Sequence, residues 1–276
     1  MTSVMPSLAS QAGETGRHLL ILGGTGEAAV LAQAALARFG DGLRVTTSLA
    51  GRTARPAAVV GDLRIGGFGG ADGLAAYIAE AGVDLVIDAT HPFAAQISAQ
   101  ARAACATAGV ERLLLERPVW VRDPRDRWIE VDDLAAAAAA LPLLGRRCFL
   151  TIGARDLGAF AALRNVHFVV RLVDPPRVAP PLASFEVVLG RGPFSLAAER
   201  LMLERHGIEM LVCKASGGDA TEAKLSAARE RGLPVVMLRR PPPPPGPRVA
   251  SVDSALDWLA GQLASGGPHR QEEVAG

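Results

Sequence analysis

The stretch His18-Leu19-Leu20-Ile21-Leu22-Gly23-Gly24-Thr25-Gly26-Glu27 decides how the rest of the chain is read. An aliphatic run of strand length stops at glycines, and an Ala/Leu-rich segment of helical length follows to about Arg38. Strand, tight turn and helix in immediate succession make a phosphate site. Backbone without side chains can approach a diphosphate closely, and the helix start offers free N–H groups and the positive end of its dipole. Gly24-x-Gly26-x-x-Ala29 fits the dinucleotide fingerprint, with a small residue at the last position for close packing of helix on strand. A plain sharp turn between strand and helix would use the same glycines, so the motif needs support from elsewhere.

Working outward, short β-branched runs alternate with Ala-rich helical segments. Strands are expected at 43–48, 59–65, 84–88 and 112–116, with helices at about 72–81 and 94–108. From Pro118 to Asp133 the periodicity is lost, and the charged run Arg122-Asp123-Pro124-Arg125-Asp126-Arg127 suggests a crossing between domains. A helix over 134–141 opens a second series, with strands near 148–151, 168–172, 187–189, 210–213 and 235–238. Helices are expected at 196–206, 221–231 and 252–263. Pro241 to Pro245 reads as an extended polyproline spacer.

The expected fold is therefore α/β, doubly wound, with mostly parallel sheets flanked by helices in two successive series. The expected division is a tail at 1–16, a cofactor domain at 17–133 that includes the crossing 118–133, a second domain at 134–264, and a tail at 265–276.

The end of the second strand bears on the cofactor. NAD-preferring folds usually place an acid there for the ribose 2′-OH. This chain has Ser48-Leu49-Ala50-Gly51-Arg52-Thr53-Ala54-Arg55, with no acid, two guanidinium groups and two hydroxyls. Arginine recognises phosphate through a charge-assisted fork, which suits a 2′-phosphate and hence NADPH. A solvated loop with two arginines is the alternative. A short-chain dehydrogenase would need Tyr-x-x-x-Lys; the single tyrosine, Tyr77, is followed four residues on by Ala81.

Composition removes other classes. A net charge of +1 creates no field for nucleic acid. No apolar run approaches the roughly 20 residues of a membrane span. The N-terminal stretch lacks the charge and apolar core of a signal peptide, which leads to an expectation of cytoplasmic location. Cys105, Cys148 and Cys213 are far apart, arguing against a disulfide framework or a metal site. Of 29 Lys and Arg residues, only Lys214 and Lys224 are lysines, and they lie in one short stretch.

With these pieces in place, the chain resembles the precorrin-6A reductase family of cobalamin biosynthesis over about residues 17–263. The blocks that carry the likeness are Ile21–Ala28, Ser48–Thr53, Asp88-Ala89-Thr90-His91-Pro92-Phe93-Ala94, Leu150–Arg155, Arg191–Ser195 and Lys214–Gly218. The most specific is the one around His91. The resemblance implies hydride transfer from NADPH to the C18–C19 double bond of precorrin-6A, a carboxylate-rich tetrapyrrole, giving precorrin-6B (dihydroprecorrin-6A). It also implies two Rossmann-like domains with the macrocycle in a ligand cleft between them. A sister branch reduces the cobalt-containing analogue. A non-catalytic NADPH-binding sensor and a reductase of a smaller carboxylate are the readings from other classes.

The candidate cofactor residues are Gly23, Gly24, Thr25, Gly26, Glu27, Ser48, Gly51, Arg52, Thr53, Gly69, Thr90 and His91. His91 is also a candidate proton donor, since a near-neutral imidazole can complete a reduction. Against that, His91-Pro92 can be a helix-starting turn with Pro92 first in the helix. A polycarboxylate substrate asks for cations and backbone donors, and Arg155, Arg191, Lys214, Ser216 and Gly217 fall after predicted strands of the second domain. Arg171 joins that set, Lys224 is read as surface, and the Gly66–Gly70 loop as a backbone approach to the cofactor or a mobile loop. A monomer or weak homo-oligomer is expected.

Overall fold

The computed structural model describes residues 16–51 and 59–265. The expected tails therefore lie outside the described residues, apart from Gly16 and Ser265. In chain order the first series is β1 (Arg17–Leu22), α1 (Gly26–Phe39), β2 (Leu43–Leu49), β3 (Asp62–Ile65), α2 (Ala71–Glu80), β4 (Leu85–Asp88), α3 (Ala95–Ala108) and β5 (Glu111–Leu115). The second is β6 (Arg127–Val131), α4 (Leu134–Ala140), β7 (Arg147–Leu150), β8 (His167–Leu172), β9 (Phe185–Leu189), α5 (Leu196–Arg205), β10 (Met210–Lys214), α6 (Ala223–Glu230) and β11 (Pro234–Leu238). β12 (Arg248–Val249) and α7 (Val252–Ser265) complete the chain.

Two six-stranded sheets result, ordered β3-β2-β1-β4-β5-β12 and β9-β8-β7-β10-β11-β6, and every pairing between described strands is parallel. Each has the doubly wound order, with its switch point between β1 and β4 in the first sheet and between β7 and β10 in the second. β1 shows why the run is continuously apolar. Leu19 and Ile21 pack into a core shared with α1 and α7, while Leu20 and Leu22 enter the opposite core with Leu74 and Ile78 of α2. A sheet covered on both faces leaves no polar alternation to read, and each such side chain contributes roughly 1.5–3 kcal/mol.

Sheet membership departs from the expected division at two places. Residues 127–131, expected within the irregular crossing of the first domain, form β6 and pair with β11. Residues 248–264, expected in the second domain, return to the first: β12 pairs with β5, and Ala255, Leu256 and Leu259 of α7 share a core with Leu31, Ala32 and Ala35 of α1. The physical reason is the edge of β5. Without β12 its backbone groups would be open, and Pro247 and Val249 supply carbonyls to the N–H groups of Leu114 and Glu116 at 3.0 and 2.9 Å. The chain thus passes between the sheets twice, at 116–126 and 239–247.

Candidate functional site

In the first sheet, Leu22 pairs with Ser48 on one side and Asp88 on the other, so three strands end at one level around the switch point. The glycine turn is sewn to both neighbours: Gly23 N–H donates to Ser48 O and Ala89 N–H to Leu22 O, each at 2.9 Å. Thr25 caps α1, its Oγ1 accepting from Ala28 N–H at 3.2 Å and donating to Ala89 O at 2.8 Å.

The three glycines serve different ends. A Cβ on Gly23 would meet Thr47 Cγ2 at 3.0 Å and Ala28 Cβ at 3.4 Å, so Gly23 is there for close packing. Gly24 has φ +107, a backbone that favours glycine. Gly26 opens α1 with nothing within 4 Å of a Cβ. The small residue packed on the turn is Ala28, 1% exposed, rather than the half-buried Ala29. This is the open backbone cradle at a helix start that a dinucleotide diphosphate requires, and the residues present fit it.

Ser48 is 6% exposed, and Gly51 (φ +68) packs close to Ile65. Arg52 and Thr53 lie outside the described residues. Gly69 (φ +82) belongs to the loop after β3, which Arg64 holds by donating to Gly66 O at 2.8 Å and Gly67 O at 2.9 Å while stacking 3.7 Å from the centre of the Phe68 ring.

After β4, the fully buried Asp88 organises the Thr90-His91 turn. Its Oδ1 accepts from Thr90 N–H (3.2 Å) and Oγ1–H (2.7 Å), and its Oδ2 faces Arg112 Nη1 at 3.7 Å. His91 Nδ1 accepts from Phe93 N–H at 3.2 Å, which puts the proton of a neutral ring on Nε2. Pro92 is not the first helical residue, so the helix-starting alternative for His91-Pro92 does not hold, and the helix begins one residue after the expected Ala94. Pro92 sits inside a His91–Ala94 turn, closed by Ala94 N–H to His91 O at 2.7 Å, and α3 starts at Ala95. Proline favours the second position of such a turn. The pocket beside Thr90 and His91 is walled on its far side by Pro241–Pro244, which assigns the polyproline run a place.

The loop after β4 reaches the second sheet. Phe93 packs on the core that includes Phe160 and Leu172, and its ring lies 5.3 Å from Lys214 Nζ. Lys214 is ion-paired with Asp156 at 2.6 Å. Arg155 is exposed on the short turn of helix after β7, and Arg191 is exposed after β9 beside the Ala220 segment. The structure thus brings Lys214 to the His91 loop, while Arg155 and Arg191 stand exposed on the loops after β7 and β9.

Two cations expected at this edge or on the surface are interior. Arg171 forms a two-pronged pair with the buried Glu199 (2.6 and 2.8 Å) and lies between the rings of Phe149 and Phe194. Lys224 is 5% exposed, donates to Thr221 O, and sits 4.8 Å from the Trp120 ring; burial pushes its pKa down. Glu199 and the rings of Phe149, Phe194 and Trp120 that cover them are distant in sequence, so nothing local marked them as buried.

The second glycine turn is filled by the chain itself. A Cβ on Gly217 would fall 2.0 Å from Pro118 O, and one on Gly218 would fall 2.8 Å from Arg117 Cδ and 3.3 Å from Glu27 Oε1. Trp120 Nε1–H donates to Gly218 O at 2.8 Å. Arg240 ties both crossings to this turn, donating to Glu116 Oε1, Arg117 O, Ala215 O and Ser216 O at 2.9–3.2 Å. Arg117 in turn pairs with Glu27 at 3.2 Å; burial pushes its pKa down and Glu27 opposes this. Arg117, Trp120 and Arg240 escaped sequence reasoning; their only signal was their position next to the two crossings.

Residues 18–260 match the family described as "Precorrin-6x reductase CbiJ/CobK". The chain belongs to this family. It is 50% identical over 243 residues to a precorrin-6A reductase of Rhodococcus erythropolis, covering 88% of this chain and 97% of the relative. A precorrin-6A reductase of Rhodobacter capsulatus is 46% identical, covering 88% and 96%. The solved structure "CobK precorrin-6A reductase" superposes with a TM-score of 0.84 at 46% identity, covering 89% of this chain and 96% of that one. Membership makes the chain a reductase of the α/β class, with its turn, its Asp88–Phe93 loop and its Lys214–Gly218 turn all inside the matched region. No helix among the described residues is long and apolar enough to cross a membrane.

Proposed function

We propose that this chain is an NADPH-dependent precorrin-6A reductase of cobalamin biosynthesis, acting in the cytoplasm on the C18–C19 double bond to give precorrin-6B (dihydroprecorrin-6A). The observation that carries the proposal is the meeting of the open Gly24–Gly26 backbone, Ser48 and the Thr90-His91 turn at one sheet edge, in a member of a reductase family. Bound there, NADPH would supply a hydride to one carbon of the double bond.

The protein's share is binding, orientation and a proton for the other carbon. The backbone of Gly23 to Glu27 receives the diphosphate, with Gly51 and Gly69 on neighbouring loops. Ser48, Arg52 and Thr53 receive the 2′-phosphate. Asp88 holds Thr90 by two hydrogen bonds, and the Phe93 amide donates to His91 Nδ1, which puts the proton of a neutral ring on Nε2. Nε2 is then our assignment for the proton source at the product carbon. Arg155, Arg191 and Lys214 are the cations for the acetate and propionate groups of the macrocycle. Ser216 and Gly217 contribute by shaping the turn after Lys214 rather than by an open backbone, because the crossing already occupies it.

Both relatives named above carry the metal-free substrate in their names, which favours precorrin-6A over its cobalt analogue. The test is NADPH absorbance during incubation with each. We expect NADPH loss that depends on metal-free precorrin-6A. Turnover restricted to the cobalt form would move the chain to the sister branch, and NADPH binding without turnover of either would make it a sensor.

A further inference from the structure

Glu27 sets a problem for the proposed diphosphate site. It is the acid in the first turn of α1, beside the backbone donors that would receive a dianionic group. An uncompensated carboxylate there repels phosphate at short range, where solvent screening is incomplete. The structure supplies a compensation from outside the motif. Arg117, the second residue of the first crossing, places Nη2 3.2 Å from Glu27 Oε2, with side-chain exposures of 12% and 31%. The guanidinium is held there from the other side as well: Gly218 leaves room for its Cδ where a Cβ would fall at 2.8 Å, and Gly217 O lies 3.5 Å from Nη1. The backbone under it is fixed by Arg240, which donates to Arg117 O at 2.9 Å.

We infer that Arg117 is a cofactor-binding determinant: it neutralises Glu27 so that the glycine turn can accept the dinucleotide diphosphate. The inference rests on the proposed function and extends it to a residue about 90 positions beyond the fingerprint. Arginine suits the task because it stays charged even when largely buried, and because its planar fork can face a carboxylate and a second acceptor at once. Since the diphosphate is common to NADPH and NADH, the effect is independent of the 2′-phosphate, unlike that proposed for Arg52.

The experiment is a double-mutant cycle of binding, read by calorimetric titration with NADPH and with NADH on the full chain. The variants are Arg117→Met, Glu27→Gln and the two together. Arg117→Met keeps the bulk of the side chain and loses the charge; it should weaken both nucleotides by roughly tenfold or more, by the same factor for each, and the loss should shrink at high salt. Glu27→Gln should bind more tightly than wild type. The double variant should recover to within about threefold of wild type, because the repulsion that Arg117 offsets is gone.

A melting curve for each variant checks that the fold is kept, and recovery in the double variant is itself incompatible with simple misfolding. If Arg117→Met binds NADPH within twofold of wild type, the inference is overturned. It is equally overturned if the loss persists undiminished in the double variant, which would make Arg117 a spacer. A wild-type chain that binds neither nucleotide would refute the proposed function as well. Normal wild-type binding with an unresponsive Arg117 refutes the inference alone.

Discussion

His18 enters β1 as a neutral ring: Nδ1–H donates to Ala81 O at 3.0 Å and Nε2 accepts from Thr46 Oγ1 at 2.8 Å. Burial is the main cause holding its pKa below the ordinary 6.5. The unfolded chain therefore takes up this proton more readily than the folded one as pH falls. The stability tied to His18 is complete above that ordinary value and is lost as pH drops through it toward the depressed folded value. His18→Gln should show a smaller fall in urea midpoint between about pH 7.5 and pH 5.5 than wild type does; an equal fall would remove His18 from the acid response. Asp88 is the other residue whose surroundings dictate its role. It is 0% exposed, its carboxylate meets Arg112 at 3.7 Å, and it carries Thr90. Asp88→Asn strands a buried guanidinium and should cost about 3–5 kcal/mol by denaturant titration. Pairing it with Arg112→Met should cost less than the two single changes added together.

At the scale of elements, two glycine turns that look alike in sequence behave differently. The first, between β1 and α1, is open above Gly26; the second, between β10 and α6, is packed on Pro118 and Arg117. Gly26→Ala should leave the melting temperature unchanged or slightly higher, since alanine at a helix start is tolerated, while NADPH affinity falls. Gly217→Ala should do the reverse of the first part. Its Cβ would fall 2.0 Å from a backbone oxygen at φ +67, so a stability loss of about 3 kcal/mol or more is expected. A melting temperature that drops for Gly26→Ala would show that this turn, too, is filled. Both turns carried the same local signal, and only the position of the crossing, distant in sequence, separates them.

At the scale of the whole molecule, what was legible followed from what is contiguous. The run from His18 to Arg38 holds strand, turn and helix in one piece, and the continuous apolar strands predicted sheets covered on both faces. β6 was hidden because an edge strand with one partner keeps polar residues at Arg127 and Glu130, next to a charged run. β12 was hidden because two residues carry no period. The interior places of Arg171 and Lys224, and the bracing by Arg240, depend on Glu199, Trp120 and Glu116, far along the chain from each. The crossings are where the two units are held together: Arg240 fastens one to the other, and the first carries Arg117 to Glu27.

What such an assembly does is tested most directly by following the hydride. The enzyme should be run to completion with metal-free precorrin-6A and NADPH deuterated at both C4 positions of the nicotinamide, and the product analysed by NMR and mass spectrometry. One deuterium per product, located at C18 or C19, is the predicted result. A product without deuterium, or a label on any other carbon, would contradict it.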